Sequence, residues 1–342
     1  MTAEATAGST PKRNAQIAGV GSALPANRVP NSYFEDVVDT NDEWIRDRTG
    51  IAARHFAEDG VNTSDLSADA ARAALASAGL AAEQVDMIIV STLTPDRPLP
   101  ATAVLVQQKL GVSCPAFDIN AACSGFSYGL AVGASIVESG AADTVVVIGG
   151  EVLSRFLNMS DRSTCILFGD GAGAVVLTPS DEPGVIGSVL AADGRGAGLL
   201  TIPAGGSDMP ASLQTLADGG HLIQMSSGQE VYKRAVNSMT DACREILEKS
   251  GYAADDVALL VPHQANARIM GTVADRLGIP PERCALYVEE VGNTSAASIP
   301  IAMDSAWRAG RIAHGDLVLL TSFGAGIAWG ANLVRWTIPS PA

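Results

Sequence analysis

Two distant stretches of the chain share one pattern: AGLAAEQVDMIIV at residues 78–90 and SGYAADDVALLV at residues 250–261. Each reads as a helix ending at glycine, a short acidic loop and an apolar buried strand. The correspondence continues in order. QQKLGV (107–112) recurs as ADRLGI (274–279), AFDI (116–119) as ALYV (285–288), and AADTVVVIGG (141–150) as AHGDLVLLTSF (313–323). Chance similarity among Ala-, Gly- and Val-rich segments would not keep four blocks in one order. A period of about 170 residues is far too long for a solenoid, so the pattern specifies a duplicated α/β unit with strands alternating with helices. The join falls at TPSDEPG (178–184), where turn-forming residues cluster. The expected organisation is a flexible tail over residues 1–14, a first half over 15–182 and a second over 183–342.

Composition narrows the function classes. A formal charge of −15 repels nucleic acid and anionic membrane overall, while leaving room for a local basic patch that meets an acidic partner. Five cysteines with no CxxC pair fit neither a disulfide framework nor a zinc site, which points to a reducing, cytoplasmic setting. The first fourteen residues have no apolar core and no later stretch is continuously apolar for 18 residues, so neither a signal peptide nor a membrane span is expected.

The duplicated pattern draws attention to DINAACSGFSYGL (118–130). After Cys123 the chain runs almost without charge to Glu138, with Gly140 as a stop, and reads as a helix buried on all sides. At its start the free N–H groups favour an anion, which lowers a thiol pKa. Free cysteines are also ordinary core residues, and local sequence leaves both roles open for Cys123. Cys243 lies on the helical stripe Tyr232, Val236, Met239, Ile246, and Cys165 in the apolar CILF; Cys114 and Cys284 have no chemical company. In VPHQANAR (261–268), His263 ends a buried strand, where open α/β sheets place their sites. His55, His221 and His314 lie in polar company and are expected to face solvent. Asn293, in GNTSAAS (292–298), precedes a small-residue helix at the position expected to match Cys123; an ordinary N-cap is the competing role.

FDINAACSGFSYGL, VPHQANARI, GNTSAASIP and the early NDEWIRDRTGI (41–51) closely resemble the β-ketoacyl-acyl-carrier-protein synthase III family. These are the initiating condensing enzymes of fatty acid synthesis, and the likeness runs from about Ile17 to the C-terminus in the family's order. The resemblance implies the thiolase fold, a duplicated five-layer αβαβα arrangement. It implies a triad of Cys123, His263 and Asn293, an oxyanion hole from the backbone N–H groups of Cys123 and Ala325, and no metal or redox cofactor. Acyl-CoA and malonyl-acyl-carrier protein would be the substrates.

The same resemblance assigns binding roles. Trp44 and Arg162 would flank the CoA adenine with Arg48 near a phosphate, and Asn266 and Gly228 would line the pantetheine tunnel. Lys233, Arg234, Arg268 and Arg276 would form the basic patch for an acidic carrier protein. Leu99, in TPDRPLPATAVLVQQ (94–108), matches a position that reaches across a homodimer to floor the partner's acyl pocket, where the family often carries an aromatic. FGDGAGAVVL (168–177) contains GxGxG but precedes a strand instead of joining a strand to a helix, so it reads as close backbone packing and not as a dinucleotide site. The alternatives are a non-condensing acyltransferase or polyketide-priming synthase on the same fold, a cysteine hydrolase and an acyl-CoA-binding scaffold.

Overall fold

The computed structural model describes residues 13–341. Most of the expected tail, residues 1–12, lies outside the described residues, while Asn14 already pairs with Ser180 in the first strand. The elements that build the core are strands β1 (Asn14–Ala23), β2 (Met87–Ser91), β3 (Ala116–Ile119), β4 (Val145–Glu151), β5 (Gly171–Ser180), β6 (Val185–Ala192), β7 (Leu259–Pro262), β8 (Leu317–Gly324) and β9 (Ala328–Arg335). The helices packed on them or beside the site are α1 (Asp42–Thr49), α2 (Thr63–Ala78), α3 (Thr102–Leu110), α4 (Gly125–Ser139), α5 (Gly228–Ser250), α6 (Ala267–Leu277) and α7 (Ser298–Arg308).

The two main sheets repeat one another. The first has the order β1-β5-β4-β2-β3 and the second β6-β9-β8-β7. Parallel and antiparallel pairings fall at matching places: β4 runs parallel to β2 as β8 does to β7, and β5 antiparallel to β4 as β9 to β8. The match fails at one block. AFDI forms β3, whereas ALYV forms no strand, and a single bridge from Leu260 to Cys284 stands where a fifth strand would pair. The second sheet therefore stops at four strands.

Alternation along each strand builds the layers. In β4, Val145 and Val147 face the central core, and Val146 and Ile148 face the outer layer of α2 and α3. In β8, Val318 and Leu320 face the same central core, and Leu317 and Leu319 face α5 and α6. Helices α4 and α7 fill the middle with Phe126, Leu130, Ile299 and Met303. The result is helix, sheet, helix, sheet, helix. Helix α4 departs from expectation because Val132 and Ser135 on one side are exposed. Polar ties cross the middle: Tyr128 Oη donates to Ala191 O at 2.9 Å, and Asn332 Nδ2 to Ser127 O at 3.1 Å.

Candidate active site

Between β3 and α4 the chain makes one tight turn over Ala122–Ser124, entered with Ala122 at φ 46°. A left-handed alanine costs about 1 to 3 kcal/mol and persists only where its surroundings impose it. Here they do so through Asn120, whose Oδ1 accepts from Ala122 N at 3.2 Å, and through Ser124 Oγ, which donates to Ala328 O at 2.8 Å. Cys123 is thereby held at the start of α4, 5% exposed. Burial pushes its thiol up to about 12, the charge of Glu151 pushes the same way, and the Ser295 hydroxyl opposes them. This reverses the expectation of a depressed thiol pKa. A helix terminus contributes about 0.3 to 2 kcal/mol to an anion, less than full desolvation removes. At neutral pH Cys123 therefore carries a thiol.

The second half repeats the turn. Asn293 Oδ1 accepts from Ser295 N at 2.8 Å, Ser295 has φ 50°, and Ser295–Ala297 lead into α7. Asn293 therefore corresponds to Asn120, and the counterpart of Cys123 is Ala296. Matching Asn293 to Cys123 directly was wrong, because the shared feature is the side-chain-closed turn and not the helix start. The same bond leaves the Asn293 Nδ2 amide for the cavity. Its backbone is braced by Leu167 O, which accepts from Asn293 N at 2.8 Å, and by Gly169 N, which donates to Asn293 O at 3.0 Å. A Cβ on Gly169 would lie 2.4 Å from Val291 O, so the glycine-rich FGDG stretch serves close backbone packing.

His263 follows β7 directly and its N–H donates to Thr321 O at 2.7 Å. Its Nδ1 lies 2.6 Å from Ser298 Oγ, which also accepts from Gln264 N at 3.3 Å. Ser298 Oγ thus fixes the ring through Nδ1 and leaves Nε2 as the nitrogen available to the cavity that His263 lines. Burial lowers the imidazole pKa to about 3, so the ring is neutral at physiological pH.

Cys123, His263 and Asn293 line one narrow cavity of about 60 Å³, together with Phe323 and Ala325. Cys123 and Ala325 also line a wide cavity of about 790 Å³, walled by Leu153, Phe156, Phe168 and Ile202. The sulfur therefore stands where two spaces meet. Between them, a Cβ on Gly324 would lie 2.7 Å from Cys123 N, so the absence of a side chain keeps that N–H open. The arrangement suits a thiol that receives a group from the narrow side and stores it in the wide one.

The family model described as 3-oxoacyl-[acyl-carrier-protein] synthase III matches residues 117–194, and the model of its C-terminal part matches residues 247–336. The chain is 49% identical over 325 residues, 94% of its own length and 98% of the relative's, to the β-ketoacyl-[acyl-carrier-protein] synthase III of Roseiflexus castenholzii. The chain belongs to the synthase III family. Among solved structures it is similar to the 3-oxoacyl-(acyl carrier protein) synthase III of Pseudomonas aeruginosa, with a TM-score of 0.89, 42% identity and coverage of 96% of this chain and 100% of that one. It is also similar to the priming β-ketosynthase of the R1128 polyketide pathway, with a TM-score of 0.90, 35% identity and coverage of 97% and 99%. The architecture is the thiolase fold.

On α1 and beside it, the Arg162 guanidinium stacks over the Trp44 ring at 4.7 Å and Arg48 stands 5.9 Å from the same ring. Asn266 caps α6 by accepting from Arg268 N and donates its Nδ2 to Arg48 O at 3.0 Å, so its side chain is engaged locally while the adjoining Ala265 lines the narrow cavity. Gly228 opens α5, whose Val231 and Ala235 line the same space. The four cations expected to form one patch differ. Lys233 is exposed, Arg276 donates to Asn237 Oδ1 at 2.7 Å, and Arg268 meets the Asp47 carboxylate at 3.0 Å. Arg234 is taken up by Glu230 at 2.7 Å and Asp193 at 3.3 Å, which removes it from a free basic surface. Leu99 is 84% exposed and does not line the cavity of its own chain, although Arg97 and Pro98 do.

Sequence reasoning missed Ser298, Ser295, Phe323 and Glu151. Glu151 carried a signal, a lone carboxylate closing the apolar run VVVIGG. His55 was also misread, because its Nδ1 lies 2.6 Å from Pro25 O in a half-buried position. All five cysteines are unpaired, and no helix among the described residues is long and apolar enough to cross a membrane.

Proposed function

We propose that this synthase III condenses an acyl-CoA primer with malonyl-acyl-carrier protein, giving 3-ketoacyl-carrier protein, CO2 and CoA at the start of fatty acid biosynthesis. The observation that carries the reading is the meeting of Cys123, His263 and Asn293 on one narrow cavity that joins a wide one at the sulfur. In the first half-reaction Cys123 attacks the thioester, the N–H groups of Cys123 and Ala325 hold the oxyanion, and CoA departs. In the second, His263 Nε2–H and the Asn293 amide donate to the thioester oxygen of the malonyl group as CO2 leaves. The enolate then attacks acyl-Cys123. These donors are in place before charge develops, so decarboxylation needs no metal or redox group from the protein.

CoA binding by Trp44, Arg48 and Arg162, with Gly228 and Asn266 along the tunnel, is supported by the stacking of both arginines on Trp44, by the bond from Asn266 to Arg48 O, and by Ala265 and Val231, neighbours of Asn266 and Gly228 that line the narrow cavity. A carrier-protein patch would centre on Lys233 and Arg276, with Arg268 and Arg234 each paired to carboxylates of this chain. A homodimer is supported by the open edge of β3 and by the exposed apolar side chains of Leu99, Val104, Val132 and Leu190. In such a dimer Leu99 would enter the partner's wide cavity. The strand repeat supports two halves at 15–182 and 183–342, and the unpaired cysteines support a cytoplasmic setting. Priming of a polyketide pathway is the second reading, favoured by the wide cavity and the likeness to the R1128 synthase. A non-condensing acyltransferase has no use for both His263 and Asn293. The test is release of 14CO2 from malonyl-carrier protein with formation of a ketoacyl product. Efficient acyl transfer to an alcohol or amine without malonyl consumption would overturn the condensing reading.

A further inference from the structure

The two groups assigned to the enolate stand on separate segments, and their relative placement decides whether both can reach one oxygen. His263 follows β7, whereas Asn293 follows a short helical turn over Val288–Val291 and is braced against Leu167 and Gly169 of the first half. In the first sheet the equivalent segments are held by a ladder that pairs Ile88–Ser91 with Ala116–Ile119. The second sheet lacks that ladder. There the backbone contributes the bond from Ala285 N to Leu260 O at 2.8 Å, beside the single bridge to Cys284.

The side chain of Gln264, which has no exposed surface, takes the ladder's place. Its Nε2 donates to Pro262 O at 2.7 Å and to Ala285 O at 3.1 Å, and its Oε1 accepts from Tyr287 N at 2.7 Å and Val288 N at 3.0 Å. These partners dictate which way the amide points, because carbonyls only accept and backbone N–H groups only donate. Both amide hydrogens and both lone pairs are used. The residue next to His263 thus grips the segment that leads, through one helical turn, to Asn293. On the far side of Asn293, Ser298 Oγ accepts from Gln264 N at 3.3 Å and meets His263 Nδ1 at 2.6 Å. His263 and Gln264 are therefore held between residues that precede Asn293 and a residue that follows it.

We propose that Gln264 is a positioning residue for the condensing step: it sets His263 against Asn293 so that the imidazole Nε2 and the amide Nδ2 converge on one thioester oxygen. The assignment rests on the reading of these two residues as the enolate donors. Gln264 lines neither cavity, so it acts through the backbone of its neighbours. Cys123 depends on other ties, since its turn is closed by Asn120 and Ser124. The two half-reactions are therefore separable. A misplacement of about 1 Å can cost about 10²-fold in rate, and a shift of His263 falls on decarboxylation while sparing acylation. Gln264 also has a purely structural use, because its loss leaves two buried N–H groups and two carbonyls short of partners. That use alone would weaken both half-reactions together.

The test compares the full chain with Gln264→Met and Gln264→Glu, reading acylation by acetyl-CoA as quenched intact-protein mass and decarboxylation as 14CO2 release from malonyl-carrier protein. Gln264→Met keeps the shape and loses all four side-chain bonds, so 14CO2 release should fall by about 10²-fold and acylation by less than about ten-fold. In a His263→Ala background the same substitution should lower 14CO2 release by less than about three-fold more, because no imidazole is left to place. Gln264→Glu keeps the acceptor for Tyr287 N and Val288 N but turns an oxygen towards Pro262 O and Ala285 O, and it decides the matter where Gln264→Met fails to fold. Protonation gives that oxygen a hydrogen to donate, so 14CO2 release relative to wild type should rise as pH is lowered from 8 to 6, with relative acylation level. Equal losses of acylation and 14CO2 release in both variants would overturn the assignment. So would a further loss of about 10²-fold in the His263→Ala background. His263→Ala alone judges the donor reading separately: loss of acylation in place of decarboxylation would refute that reading.

Discussion

Replacing Gly324 by alanine perturbs the site by one methyl group at a known place. The new Cβ would lie 2.7 Å from Cys123 N, 3.0 Å from Ser124 N and 3.3 Å from Ala121 O, all backbone atoms that cannot swing aside. Gly324 has φ −147°, an extended conformation open to alanine, so the cost is contact and not backbone strain. The methyl covers the Cys123 N–H and pushes the Ala122–Ser124 turn away from β8. Loss of one oxyanion donor costs about 10² to 10³ in rate, or about 2.7 to 4 kcal/mol of transition-state stabilisation. Rapid-quench acylation by acetyl-CoA should fall by that factor. Alkylation of Cys123 by iodoacetamide, which develops no oxyanion, should change by less than about ten-fold. A folded Gly324→Ala protein that acylates at the wild-type rate would refute the assignment of Cys123 N to the oxyanion hole.

His263→Ala and Asn293→Ala should each retain more acylation than condensation, measured as the acyl adduct against 14CO2 release; a variant that loses acylation yet decarboxylates malonyl thioester would reverse their roles. Leu99→Phe should lower kcat/KM for branched or medium-chain acyl-CoA more than for acetyl-CoA, because each methylene of pocket space is worth about 1 to 3 kcal/mol. Equal effects on all primers, or a fully active monomer by sedimentation, would remove Leu99 from the partner's pocket. His263 gives a signed pH effect: unfolded, its imidazole titrates near 6.5, and in the fold near 3, so the unfolded chain binds a proton that the native one does not between these values. Stability is thus lost as pH falls through that window, and His263→Gln should flatten this part of the Tm profile relative to wild type. Parallel profiles would show that the imidazole is not desolvated.

The duplicated fold was legible because each repeated block is a helix stop, an acidic turn and an apolar strand, all fixed by local chemistry. ALYV misled because its apolar pattern equals that of AFDI, and only tertiary pairing decides that one forms an edge strand and the other a bridge. Cys123, His263 and Asn293 are legible from motifs alone, and the fold brings them onto one cavity. The direction of the thiol shift was not legible, since it depends on how completely two halves of the chain close over one sulfur. Arg234 has one partner legible in sequence, Glu230 a helical turn before it, and a second, Asp193, that only the fold brings near. Ser295 and Ser298 read as ordinary small residues at a helix start; the bond from Ser295 N to Asn293 Oδ1 and the contact of Ser298 Oγ with His263 Nδ1 distinguish them only in the fold.

In the condensing reaction an acyl group held on Cys123 becomes the distal part of a 3-ketoacyl product. It is tested most directly by isolating enzyme acylated from 13C-acetyl-CoA, mapping the adduct to its peptide, and chasing with malonyl-carrier protein while the masses of both proteins are read. The label is expected on Cys123, no adduct should form on Cys123→Ala, and the chase should move the label to the carrier protein as a 3-ketoacyl thioester with loss of one CO2. Label on another residue, release as free acetate, or arrival on the carrier protein without decarboxylation would contradict it.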